Sequence, residues 1–337
     1  MIYRYPSYCR SFKCIADKCT DSCCIGWEID IDPQTLAKYK AMDGALGEKL
    51  RRCTDDSGFI LTPDERCPFL DERGLCELIL SIGEDSLCRI CTEHPRYYEW
   101  FDGVKEGGIG LCCEAAAELI LKNDHILCCD DIPEDDGAEC DNELFELLCK
   151  AREDITAHIM RDELPAAMRY VLGYAEALQD NIDSGEYVLP DKAYDIIPEP
   201  ADIKAMIDFL SKLEAADSRW IPYISDCALR ASEKHVYSGD DIYLKRIAVY
   251  FVYRYFLKGV SDGEILSKVR LAVISTGIIG YLVSCSKTQE FCDILHAAKS
   301  YSKEIEYSSE NLEALYDAFY DMDIFGASAA AGLFDLL

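Results

Sequence analysis

Apolar and polar positions along this chain change their period once, near residue 140. Before that point the pattern is short and broken. From Trp27 to Asp32 the isoleucines at 29 and 31 alternate with Glu28, Asp30 and Asp32, the period of a half-buried strand. Pro33 then opens a short helix running to about Lys40, because the fixed φ of proline suits the first helical position. Phe59 to Leu61 is β-prone, and Cys67 to Leu70 and Leu75 to Leu80 flank Asp71-Glu72-Arg73-Gly74, which predicts a hairpin with a four-residue turn. Gly103 to Gly110 reads as a flexible, glycine-rich approach to Cys112-Cys113, and Glu114 to Leu121 is helical in pattern.

Beyond residue 140 the helical period takes over. Leu144, Leu148, Ala151, Ile155 and Ile159 lie three or four residues apart, and Met168, Val171, Leu172 and Ala175 repeat the spacing after Pro165. Further helices are expected over 201–215, 241–258, 262–284, 288–299 and 309–321. The acidic stretch Asp130-Asp131-Ile132-Pro133-Glu134-Asp135-Asp136 reads as a linker. The expected fold is therefore mainly α: a cysteine-rich domain with short β-hairpins over 1–125, an acidic linker over 126–140 and an all-α domain over 141–337. The longest apolar run, Leu271 to Cys285, is broken by Ser275, Thr276 and two glycines and falls short of the roughly 18–20 residues of a membrane span. It reads as a buried helix, and no membrane partner is expected.

Charge narrows the partners. Asp and Glu number 63 against 34 Lys and Arg, a formal net charge of −29. A field of that sign repels phosphate backbones, so nucleic acid is not an expected partner, whereas a basic target such as a lysine on another protein is attracted. Met1 to Arg10 lacks the charged-then-apolar order of a secretory signal, so the expected location is the reducing cytoplasm.

Cysteine carries the candidate chemistry. Of 19 cysteines, 16 fall at or before Cys149. Reduced cysteines at short, paired spacings are metal ligands or catalytic thiols more often than disulfides. Eight stand out by clustering and turn context: Cys14, Cys19, Cys23, Cys24, Cys67, Cys76, Cys91 and Cys112. Thiolates suit zinc or iron–sulfur clusters, each needing about four ligands. The radical S-adenosylmethionine spacing Cys-x3-Cys-x2-Cys is absent, because Gly26 occupies its third position after Cys19 and Cys23. Neighbouring Cys23 and Cys24 strain any shared chelate ring, so one is expected to bind and the other to pack. Cys9, Cys53, Cys88, Cys128, Cys129, Cys140, Cys149 and the three late cysteines read as small buried hydrophobes. The glycines at 107, 108 and 110 do not form a dinucleotide-binding fingerprint.

The order of these motifs resembles the flagellin lysine-N-methylase (FliB) family. The matching elements are Cys14-x4-Cys19-x3-Cys23-Cys24-x-Gly26-Trp27-x-Ile29-x-Ile31-Asp32, Cys67-Pro68-Phe69-Leu70, Gly74-Leu75-Cys76, Cys91-x3-Pro95-Arg96 and Cys112-x-Glu114-Ala115-Ala116. The first four also resemble a broader group of zinc- or iron-chelating cysteine domains. Cys113 stands where the family has proline, and His94 where it prefers an aromatic.

The resemblance implies methyl transfer from S-adenosylmethionine to the ε-amine of protein lysines, with flagellin as the implied target. It also implies an iron–sulfur cluster, 4Fe-4S in type, with the eight cysteines serving either one cluster with spares or two four-ligand sites, and with zinc as the alternative metal. Lysine, with a pKa of about 10.4, must shed a proton before it attacks, and a cationic sulfonium suits aromatic faces. Candidate donor contacts are Tyr250, Tyr253 and Arg254 on an aromatic-rich helix, together with Arg96 after Pro95; Glu28, Asp30 and Asp32 are candidate acidic contacts. The competing expectation is a non-catalytic iron–sulfur or zinc-binding sensor, or an electron-transfer protein.

Overall fold

In the computed structural model, which describes residues 1–26, 28–133, 138–233 and 236–337, segments far apart in sequence build one sheet. β1 (Ile2–Pro6), β2 (Arg96–Phe101), β3 (Val104–Ile109) and β4 (Leu127–Asp131) lie in the order β2-β3-β1-β4. β2 and β3 form an antiparallel hairpin; β1 runs parallel to β3 and antiparallel to β4. Strand β4 thus occupies the first part of the stretch read as a linker, whose residues 134–137 lie outside the described ones.

Between β1 and β2 the chain makes α1 (Pro33–Ala41), α2 (Gly44–Cys53), α3 (Glu77–Ile82) and α4 (Arg89–Glu93). Helix α1 begins where Pro33 predicts, capped by Asp32, whose carboxylate accepts the Thr35 N–H at 2.9 Å. Two expectations here are corrected. The residues from 28 to 32 form only an isolated bridge, Asp30 to Gly58, although Ile29 and Ile31 are buried as their alternation requires; Trp27 lies outside the described residues. The turn after Leu70 is present, with Asp71 accepting the N–H groups of Arg73 and Leu75, but its second arm becomes α3. Leu78 alone points inward while Ile79 and Leu80 face solvent, a spacing that fits a helix and not a strand.

Gly103 to Gly110 is not a flexible approach; most of it is β3. A Cβ on Gly107 would lie 2.6 Å from the Tyr3 hydroxyl and one on Gly108 2.3 Å from that of Tyr97, so these glycines admit aromatic rings.

Helix α5 (Glu114–Lys122) precedes β4, and beyond β4 the described structure is helical, as the period predicts. It comprises α6 (Asn142–Arg161), α7 (Leu164–Asp183), α8 (Ile203–Leu210), α9 (Trp220–Leu229), α10 (Asp241–Tyr255), α11 (Gly259–Asp262), α12 (Ile265–Ser284), α13 (Phe291–Tyr301), α14 (Ser309–Asp321) and α15 (Ala327–Gly332). Asp141, Asp202, Asp240 and Ser308 cap α6, α8, α10 and α14 with their side chains. Helix α12 is long and apolar enough to cross a membrane, but 89% of that window is buried inside the protein, between α7, α10 and α13.

Buried apolar side chains fall into two clusters. The larger gathers α5 to α15 with Tyr8, Phe101, Val104 and Ile109 from the sheet region. The smaller holds Ile29, Ile31, Leu36, Tyr39, Leu50, Phe59, Phe69 and Leu78 with the buried thiols of Cys67 and Cys88. A buried, bidentate pair ties sheet to helices: the Arg152 guanidinium on α6 donates to both oxygens of Glu106 on β3, each at 2.7 Å.

Candidate functional site

The smaller cluster collects thiols. Cys24, Cys76 and Cys91 pack against it alongside Cys67 and Cys88, so four of the eight expected ligands share one small core. Cys88, read from sequence as a packing residue, is buried beside Cys91; the Cys91 thiol and N–H donate to it and pull its pKa down to about 7. Cys23 and Cys24 have their thiols hydrogen-bonded to one another. Cys14 is exposed in the first loop, and Cys19 lies 3.9 Å from the Glu114 carboxylate. Cys112 stands in the larger body, its thiol hydrogen-bonded with Tyr307 and its pKa raised by burial. Among the described residues no three or more His, Cys, Asp or Glu side chains gather closely enough to enclose one metal ion. The donor set is nonetheless all thiol, the chemistry of a soft centre.

A second cluster surrounds Arg254 on α10. Its guanidinium lies over the rings of Tyr97 at 4.5 Å and of Tyr255 and Tyr307 at 5.4 Å each. It reaches Glu306 Oε1 at 3.2 Å, and that oxygen also accepts the hydroxyls of Tyr250 and Tyr255 at 3.0 Å each. The Glu306 side chain is wholly buried and its Oε2 has no partner among the described residues. Burial drives the phenols of Tyr250, Tyr255 and Tyr307 well above their ordinary pKa, so all three stay neutral donors. The cation inside these rings is Arg254 itself.

The donor contacts expected from sequence do not converge. Tyr250 and Arg254 belong to this cluster, but Tyr253 turns away, its hydroxyl donating to the Gly107 carbonyl at 3.2 Å and its ring lying under Arg152 at 4.8 Å. Arg96 is exposed on β2, 5.0 Å above the Phe12 ring. Of the candidate acidic contacts, Asp32 is occupied in capping α1 and in accepting the Arg89 N–H at 3.0 Å, while Glu28 and Asp30 face solvent.

The third cluster joins the cysteine loop to the helices. After α13 a π-helical turn, Ser302–Glu306, carries Lys303, Glu304 and Glu306; such turns interrupt α-helices frequently at functional sites. Asp21, between Cys19 and Cys23, receives Lys303 at 3.3 Å, Lys299 at 3.5 Å and Arg219 at 3.8 Å. Burial opposes its ionised form, but the two lysines outweigh it and hold its pKa below the ordinary value. Glu304 accepts the N–H groups of Ala216 at 2.7 Å and Asp217 at 3.1 Å, and burial pushes its pKa up to about 7. Between the two walls lies a cleft of about 470 Å³ lined by Asp21, Ile25 and 63–65 on one side and 215–219 with Lys303 on the other. Gly26 brings them close: at φ +86°, a Cβ there would stand 2.7 Å from the Ala216 carbonyl oxygen.

Sequence reasoning missed Cys88, Lys299, Lys303, Glu304, Glu306 and Tyr307. Lys299 and Lys303 sit one helical turn apart, and the charged run Lys303-Glu304-Ile305-Glu306 closes a helix with a buried face. That conjunction was a usable signal.

Comparison with known proteins bears on the C-terminal part. Residues 201–333 match the FliB lysine N-methylase C-terminal domain. The flagellar biosynthetic protein FliU of Salmonella muenchen is 27% identical over 131 residues, covering 35% of this chain and 76% of that protein. Lysine-N-methylases of Salmonella choleraesuis and Salmonella typhimurium are 29% and 27% identical over 128 residues, which cover 35% of this chain and 32% of each of them. The alignment thus spans about a third of the length of those two curated relatives. No solved structure matches.

Proposed function

We propose, from the likeness of residues 201–333 to the FliB lysine N-methylase C-terminal domain, that this chain is a FliB-like protein-lysine N-methyltransferase using S-adenosylmethionine, with flagellin as its target. One observation carries the reading beyond resemblance. The family-matched segment supplies 215–219, Lys299, Lys303 and Glu304, which together with Glu114 of α5 meet the cysteine loop around Asp21.

In the reaction the lone pair of a neutral lysine ε-amine forms the N–CH3 bond as the S–CH3 bond of the sulfonium breaks. The donor leaves as a neutral thioether, and the lysine proton passes to solvent or to a carboxylate. The chain's contribution is to attract a basic segment with its net charge of −29 and to hold donor and amine in line. Cys24, Cys67, Cys76 and Cys91, with Cys88 beside them, would hold a soft centre. Thiolates suit both an iron–sulfur cluster and zinc, and the cluster is the centre that the family likeness favours. Bound there, such a centre would supply cross-linking of the small core and a redox-active, thiophilic group.

Anaerobic purification with iron and sulfide analysis, then incubation with methyl-labelled S-adenosylmethionine and a flagellin, tests both halves. Iron with matching sulfide and label on lysine is the expected result. Label on no protein lysine, with the metal centre full, would sink the methyltransferase reading and favour a metal-bearing sensor, which the filling of the tyrosine cluster by Arg254 also suits.

A further inference from the structure

We propose that the cleft between the cysteine loop and the 215–219 segment is the methyl-donor site, and that it receives the amino-acid end of S-adenosylmethionine. The proposal rests on the methyl-transfer reading above and gives it a place that neither the sequence motifs nor the relatives supply. The cleft, of about 470 Å³, is open to solvent along Pro63, Asp64, Glu65, Ser218 and Arg219 and closed at its back by Asp21, Ala215, Ala216 and Lys303. A comparable cavity of about 420 Å³, lined by residues 32–35, 87, 89, 92 and 93, offers one cation, Arg89, and lies wholly outside the family-matched 201–333 segment.

Charge selects the ligand. The lining offers two cations, Arg219 and Lys303, and four carboxylates, Asp21, Asp64, Glu65 and Asp217, for a formal net of −2. An amino-acid zwitterion needs both signs within a few ångströms, and a sulfonium adds one positive charge that a net acidic wall accommodates. Asp21 and Asp217 engage Lys303 and Arg219, at 3.3 and 2.5 Å, so the two cations are fixed in the lining and a donor carboxylate would share them with these aspartates. Asp64 and Glu65 make no ion pair among the described residues and remain open to an ammonium or sulfonium.

The walls are also fixed rather than loose. Glu304 tethers the backbone of Ala216 and Asp217 from behind, and the Gly26 N–H donates to the Glu65 carbonyl at 2.9 Å, holding Glu65 at φ +55°. One wall belongs to the thiol-bearing part and the other to the family-matched segment. A donor bound between them lies beside both, as a site at the seam of two building blocks commonly does.

The test is isothermal titration of the full-length, anaerobically purified protein with S-adenosylmethionine and with S-adenosylhomocysteine. Two variants address the cleft: K303Q/R219Q removes both carboxylate partners, and S218W, at an exposed position on the rim, obstructs entry without touching the core. Both are expected to bind the donor at least tenfold more weakly, with S218W melting at the wild-type temperature. Q34W in the other cavity is expected to bind normally. Wild-type affinity in S218W and K303Q/R219Q would overturn the placement while leaving the methyl-transfer reading standing. Loss of binding of a lysine-bearing peptide, with donor binding intact, would overturn it in favour of a substrate groove. No binding of either nucleoside by the wild-type protein would bring down the methyl-transfer reading and the placement with it.

Discussion

Glu304 and His125 push stability in opposite directions as pH changes. Glu304 has a pKa raised from 4.5 to about 7, with burial as the first cause and Lys303 and Asp217 as its charged neighbours. Between those values the unfolded chain has lost the proton that the folded one keeps, so stability falls as pH rises through the window, by roughly 3 kcal/mol in all. In urea denaturation, E304Q should gain on the wild type by about that amount between pH 4.5 and 8, whatever its offset. His125 is the reverse case. Burial, helped by nearby Arg152, lowers its pKa from 6.5 to about 3, and its Nε2 has no partner among the described residues. Below pH 6.5 the unfolded chain gains a proton that the folded one refuses, so stability drops by roughly 3 kcal/mol on going to pH 4. H125F keeps a ring against Tyr253, now 4.5 Å from the imidazole, and should remove most of that acid loss. An H125F protein as acid-labile as the wild type would refute the assignment.

At the scale of elements, the joint between sheet and helices depends on a buried ion pair. Arg152 of α6 and Glu106 of β3 each keep only 6% of their side-chain surface exposed, and Arg4 approaches Glu106 no closer than 3.9 Å. R152M therefore strands a buried carboxylate and should destabilise by about 3–5 kcal/mol, whereas R152M/E106L should recover most of the loss, because removing both charges leaves none unpaired. Chemical denaturation of the two variants decides it; a loss under about 1 kcal/mol in R152M would show the pair to be incidental. This joint was not legible in the sequence. The helices were, because an apolar stripe of period 3.6 and an Asp or Ser cap are local signals, as at Asp141 and Ser308. The sheet was not, since β1 pairs with β3 about a hundred residues later and β3 carries two glycines that suggested a loop. The same division runs through the candidate site. Spacing alone pointed to Cys24, Cys67, Cys76 and Cys91, which do share one core, but Lys299, Lys303 and Glu304 reach Asp21 and the 215–219 backbone only through tertiary folding.

At the scale of the whole molecule, the described residues form two apolar cores of very unequal size, and they should fail separately. The larger one centres on α12 and is closed by α7, α10 and α13, and four of the eight candidate ligands gather instead at the smaller one. The smaller one contains ten buried residues, two of them cysteines, with three more of the candidate thiols packed on it. A core that small buries too little apolar area to offset the chain entropy of residues 29–91 by a wide margin, so cross-linking through a thiolate-bound centre would supply a large share of its stability. Removing metal by chelation under reducing conditions should therefore strip amide-exchange protection from α1, α2 and α3 while α10 and α12 keep theirs, and thermal unfolding should split into two transitions. The lower transition should move up again when iron and sulfide are restored, by mass action on the folded form. Uniform loss of protection across both cores, or protection of α1 to α3 that is indifferent to metal, would mean that the thiols are packing groups and that the small core stands on its apolar contacts alone.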